Sequence, residues 1–169
     1  MPAPSGNQPV AAGVSSRVEK LEIVLPAPPQ PLGAYVETSE TGNLLFLSGT
    51  LPVVNGRLAV SGRLGENLSA KDGQEAARIA SLNALAAAKQ HLENLDRLKK
   101  LVKLTVLMAT TERFTEHAPV ADGASDLFVR IFGRASGHVR LVYGVQSLPI
   151  GAPVMVDVIF EIEPKEIQQ

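Results

Sequence analysis

The sequence predicts an α+β domain: a mixed β-sheet with two helices packed on one face. Two segments, 69–92 and 120–132, suit helices, and the runs at 99–110, 139–145 and 154–162 are rich in β-branched and aliphatic residues. Their alternation gives the order β-β-(β)-α-β-α-β-β, in which each element buries one face only by stacking helices on a sheet. At 169 residues with 45% hydrophobic content, the chain suffices for one well-buried core and is short for two. We therefore divide it into a leader with a short helix and a Pro-rich connector over 1–30, and a folded domain over 31–165.

Taken in order, the first sixteen residues lack the charged start and long apolar stretch of a secretory signal and read as a mobile leader. Ser16 and Glu19 have capping-box spacing, which predicts a short helix over 17–23. Pro26, Pro28, Pro29 and Pro31 then impose an extended connector. Ala34 to Thr38 and Leu44 to Ser48 are strand-like and flank Ser39 to Asn43, which predicts a hairpin. Asn55-Gly56 is a turn pair leading to a weak third strand over Arg57 to Val60. Ser69 and Asp72 form a second capping box at the head of the long alanine-rich helix. Along it Ile79, Leu82, Leu85 and Ala86 share a face, leaving Lys71, Glu75 and Arg78 in water. Lys99 to Thr110 reads as a long strand and Val120 to Phe132 as a second helix despite Gly123. Val139 to Val145 and Val154 to Ile162 read as the last two strands, joined by a loop containing Pro149, Gly151 and Pro153.

Composition excludes several classes of chemistry. Without cysteine there is no disulfide, thiolate-zinc site or cysteine nucleophile, which fits a reducing, cytoplasmic compartment. His91, His117 and His138 are too scattered for a metal centre and read as surface or structural residues; no cofactor is implied. A net charge of -1 gives no global field for nucleic acid or an anionic membrane, and Arg97, Lys99, Lys100 and Lys103 read as a solvated face. The apolar runs are far shorter than the roughly 20 residues of a membrane span.

Arg140 interrupts an otherwise apolar strand, Val139 to Tyr143. A guanidinium cannot shed its charge, so it requires a carboxylate, water or a ligand. Two readings follow. If the last two strands form a hairpin, Glu161 lies roughly opposite and an internal ion pair satisfies the arginine. Otherwise the group is available to an anionic ligand.

Gly33-Ala34-Tyr35-Val36, then Gly42-Asn43 followed by Ser48-Gly49-Thr50-Leu51-Pro52, then Arg140 and Leu148-Pro149, resemble the YjgF/RidA superfamily in order and spacing over about Gly33 to Glu161. The resemblance implies a chorismate-mutase-like fold, a homotrimer, and ligand clefts between subunits. It also implies hydrolysis of reactive enamines or imines to ammonia and a 2-oxo acid. Arg140 would then hold the carboxylate of a small metabolite through two parallel charge-assisted hydrogen bonds. Tyr35 would close over the ligand or orient a proton, and Ser48 would donate a hydroxyl hydrogen bond. Read from the residues alone, Tyr35 suits packing and Ser48 suits turn chemistry. Asp122 falls near a cleft asparagine of the family, and also suits a helix cap.

The sequence departs from the deaminase pattern. The family's glutamate on the last strand is Met155 here, which transfers no proton. Asp157 has the same strand parity but lies about 7 Å farther along. Val142 replaces a common cysteine, making the implied cleft more apolar. Three functions thus stand: a deaminase acting on 2-imino acids, a non-catalytic metabolite-binding or interaction protein on the same fold, and the endoribonuclease or translation inhibitor of the family's older label.

Overall fold

The computed structural model describes residues 12–165. Helix α1 (Val14–Lys20) leads through the connector to the hairpin β1 (Thr38–Thr41) and β2 (Leu44–Leu47). A small hairpin, β3 (Val53–Val54) and β4 (Arg57–Leu58), precedes helix α2 (Ala70–Leu92). The long strand β5 (Leu98–Ala109), helix α3 (His117–Phe132), β6 (Val139–Val145) and β7 (Val154–Ile162) complete the fold. The main sheet has the order β1-β2-β7-β5-β6, with β6 parallel to β5 and the other pairings antiparallel. The α+β expectation holds, with α2 and α3 as the two long helices and α1 as the short one, and no described helix is long and apolar enough to cross a membrane.

The helical layer follows from small side chains. In α2, Ala76, Ala77, Ala80, Ala84, Ala87 and Ala88 are buried, so the helix lies close to its neighbours. The Ser69–Asp72 capping box forms as expected, and Lys71, Glu75 and Arg78 are exposed. Gly123 in α3 has a packing reason: a Cβ there would fall on the Gln74 carbonyl oxygen of α2. Beneath α3, Phe128, Phe132 and Phe160 form an aromatic cluster with centroid separations of 5.8 to 6.5 Å. Along β7, Val154, Val156, Val158, Phe160 and Ile162 are buried on the helix side, while Met155, Asp157, Ile159 and Glu161 point to the other face.

Several local expectations are corrected. Helix α1 spans Val14–Lys20 with Gly13 at its N-cap, so Ser16 is interior to it and caps nothing. Val14 and Val18 instead dock the helix into the core, and the Asp96 carboxylate accepts from the Ser15 amide at 2.9 Å. Most of the expected mobile leader lies outside the described residues. Ala34 to Glu37 is not a strand; β1 begins at Thr38, and Thr41 pairs with Leu44 across a two-residue Gly42-Asn43 turn. Gly42 has φ 57°, which makes that tight turn inexpensive.

The largest correction concerns β6 and β7. They are not a hairpin, because β5 lies between them. Helix α3 returns β6 to the parallel side of β5, as a crossover connection requires, and the loop 146–153 then steps across the end of β5. Arg140 is therefore level with Leu104 on β5, and Glu161 is level with Lys100, whose ammonium lies 3.7 Å from its carboxylate.

Candidate functional site

Arg140 sits near the start of edge strand β6, on the same face as Leu104, and so points toward α3 rather than toward β7. On α3, Asp122 and Ser125 are three residues apart and share a helix face. The Arg140 Nη1 donates to Asp122 Oδ1 at 2.7 Å and to Ser125 Oγ at 3.1 Å. Ser125 Oγ is also 3.0 Å from His138 Nε2. Asp122 is interior to α3, so its alternative as a helix cap is excluded.

Both Nη1 hydrogens are thereby used. Among the described residues, Nη2 and Nε of Arg140 have no protein acceptor. A guanidinium presents five donors in a fixed fork, so three remain for a planar anion. The internal pair is also weak. The arginine and aspartate side chains are 26% and 47% exposed, and ion pairs this wet contribute about 0–1 kcal/mol. Asp122 steadies the arginine without sealing it.

His138 joins this cluster although the sequence marked it as a surface or structural residue. Burial, and then the positive charge of Arg140, hold its imidazole below the ordinary histidine range. The signal available in sequence was its position two residues before Arg140, the same strand parity, but nothing local tells that α3 would supply a hydroxyl there.

Tyr35 and Ser48 lie elsewhere. The Tyr35 hydroxyl accepts from the Leu32 amide at 2.9 Å, and Ser48 Oγ donates to the Val36 carbonyl at 2.6 Å. Both interactions are local and fold the end of the connector back onto β2. Tyr35 also lines an open, largely apolar cavity of about 720 Å3 between the connector, α2 and residues 49–56. Glu37 borders that cavity, and burial raises its carboxyl. Arg140 does not line it.

From β2 to β6 the sheet crosses three strand spacings, about 14 Å. A small ligand on Arg140 therefore cannot touch Ser48 or Tyr35 of the same chain. Met155 sits on the Ser48 side, where its Sδ would be 2.7 Å from a Cβ added at Gly49. The glycine of the Ser48-Gly49 pair thus makes room for the methionine. Ser48 and Tyr35 thus stand on the β1–β2 side of the sheet, Met155 on its central strand and Arg140 on the β6 edge.

Residues 15–162 match the family described as "YjgF/chorismate mutase-like, putative endoribonuclease". The chain belongs to the YjgF/RidA superfamily. Protein TCP17 of Trypanosoma cruzi is 40% identical over 155 residues, covering 90% of this chain and 97% of that protein. The crystal structure of a "putative endoribonuclease" from Shewanella oneidensis is 32% identical with a TM-score of 0.84, covering 89% of this chain and all of that one. The TdcF protein of Escherichia coli, crystallised with bound serine, is 21% identical with a TM-score of 0.57 over 83% of this chain and 94% of its own, a likeness of fold alone. The YjgF/RidA assignment accounts for the fold, without specifying what this member binds.

Proposed function

We propose that this chain binds a small carboxylate-bearing metabolite, a 2-imino or 2-oxo acid, on the free Nε/Nη2 edge of Arg140. The observation that carries the reading is the one-nitrogen engagement of Arg140 by a half-exposed Asp122. An arginine whose fork is open on two nitrogens, backed by a neutral hydroxyl and an aliphatic strand, suits bidentate carboxylate capture. The serine found on TdcF is itself a small carboxylate, which fits the same class.

The separation of Ser48 and Tyr35 from Arg140 supports a site completed by a second copy. The sheet face opposite the helices exposes Phe46, Val139, Leu141 and Tyr143, an apolar surface that association would cover. A homotrimer with Ser48, Tyr35 and Met155 of one copy facing Arg140 of another is the assembly we propose. The cationic side chains give RNA little support: Arg97 pairs with Glu40 at 2.8 Å, Lys99 with Glu163 at 3.5 Å and Lys100 with Glu161.

A second reading, a binder without turnover, is favoured by Met155 packed on Gly49 where the deaminase pattern has a glutamate. Titration calorimetry with pyruvate separates binding from its absence. The wild type should bind, and Arg140→Ala should weaken binding about 10- to 100-fold, the loss of one or two charge-assisted bonds. Equal affinity for the two proteins overturns the carboxylate reading. Light scattering should give a trimer, which Tyr143→Asp converts to a folded monomer; a wild-type monomer overturns the shared site.

A further inference from the structure

Donor counting around Ser125 gives the Arg140 site a direction for proton movement. Ser125 Oγ accepts one Nη1 hydrogen of Arg140. Ser125 is buried, and among the described residues its remaining neighbour is His138 Nε2 at 3.0 Å. Its own hydrogen can go to His138 in the tautomer whose Nε2 is the unprotonated ring nitrogen, and the lowered basicity of this imidazole favours an uncharged ring. In that tautomer the imidazole is placed to accept a proton through the hydroxyl. Arg140 on β6 and Asp122 on α3 are the charged groups that this network places beside it.

We propose that His138, acting through the Ser125 hydroxyl, is the proton-accepting group for hydrolysis of a 2-imino acid bound to Arg140, in a chain where Met155 transfers no proton. This rests on the carboxylate reading of Arg140. The low imidazole basicity set by burial and by Arg140 agrees with it, since a base must be unprotonated at working pH.

The step balances without a co-reactant other than water. The substrate is the protonated imine. The water oxygen forms a C–O bond and the C=N π pair moves onto nitrogen. The water proton passes to Ser125 Oγ as the Ser125 proton moves to His138 Nε2. Returned along the same route, that proton converts the nitrogen into a leaving group. The C–N bond breaks with its pair on nitrogen, the hydroxyl oxygen closes the C=O bond, and its proton goes to the departing ammonia. The products are a 2-oxo acid and ammonium.

The test uses the full chain, 2-iminopropionate generated in place from alanine by an amino-acid oxidase, and pyruvate as the binding probe. His138→Asn should keep pyruvate affinity within about threefold while kcat falls at least about tenfold, and the acid limb of the wild-type kcat profile should vanish. Ser125→Ala should lose kcat similarly, and Ser125→Thr, which keeps the hydroxyl, should recover most of it. Unchanged kcat and pH profile in His138→Asn, or in Ser125→Ala should the histidine variant not fold, overturn the assignment. So does a wild type that binds pyruvate yet leaves the imine to decay at its buffer rate, a result that spares the carboxylate reading. A wild type that does not bind pyruvate overturns the carboxylate reading instead, and this inference with it.

Discussion

The two faces of strand β7 are built from adjacent residues and do different work. On the helix side, Val154, Val156, Val158, Phe160 and Ile162 are buried. On the other side, Met155, Asp157, Ile159 and Glu161 remain partly wet, on the face that also exposes Leu141 and Tyr143 two strands away on β6. The first face belongs to the core, whereas the second mixes Met155 and Ile159 with the carboxylates of Asp157 and Glu161. The difference teaches that strand parity divides core from open face, because successive side chains on a strand point to opposite faces.

The sharpest way to break this comparison is to delete the same kind of bulk on each face. Phe160→Ala should cost about 3–5 kcal/mol in denaturant unfolding, from lost burial and the cavity left under α3. Ile159→Ala, one residue away, should cost about 1 kcal/mol in the monomer, and near-equal losses would refute the division.

Next in size, Gly123→Ala should cost about 1–3 kcal/mol, because the added methyl forces α3 away from the Gln74 carbonyl. A neutral result in thermal unfolding would mean that the helix pair is looser than it stands here. Ser69→Ala should cost about 1 kcal/mol by removing the acceptor for the Asp72 amide.

The smallest effect tests the open face. Burial raises the Asp157 carboxyl above its ordinary value of 3.8, only partly offset by Lys103 and Thr105. A raised acid favours the folded state when protonated, so its contribution is fully present below 3.8 and is lost as pH rises through the folded value. Asp157→Asn should therefore raise stability at neutral pH by under about 1 kcal/mol and flatten the pH dependence just above the usual carboxylate range. A less stable variant at neutral pH would show that the charge is wanted on this face.

Local chemistry made much of the fold readable. The Ser69–Asp72 box, the alanine-rich helix and the Asn55-Gly56 turn depend on neighbours a few residues apart, and each stands where its residues placed it. The site was readable in part. Arg140 announced itself as a fixed charge in an apolar strand, and Asp122 was marked through the family pattern. Their bond, at 2.7 Å across eighteen residues of chain, was not foreseen. The expected Glu161 partner failed because pairing the last two strands assumed that consecutive strands are neighbours.

The sequence by itself determined the element types, the buried stripe on each, and the need of Arg140 for an anion, since these follow from side-chain chemistry and short-range periodicity. Only the tertiary structure decided which strand would stand between β6 and β7. That choice sent Arg140 to α3, brought Ser125 and His138 to it, and set Ser48 and Tyr35 at the opposite edge. Such choices compare the burial of whole faces across many residues, and no short window of sequence contains both sides of that comparison.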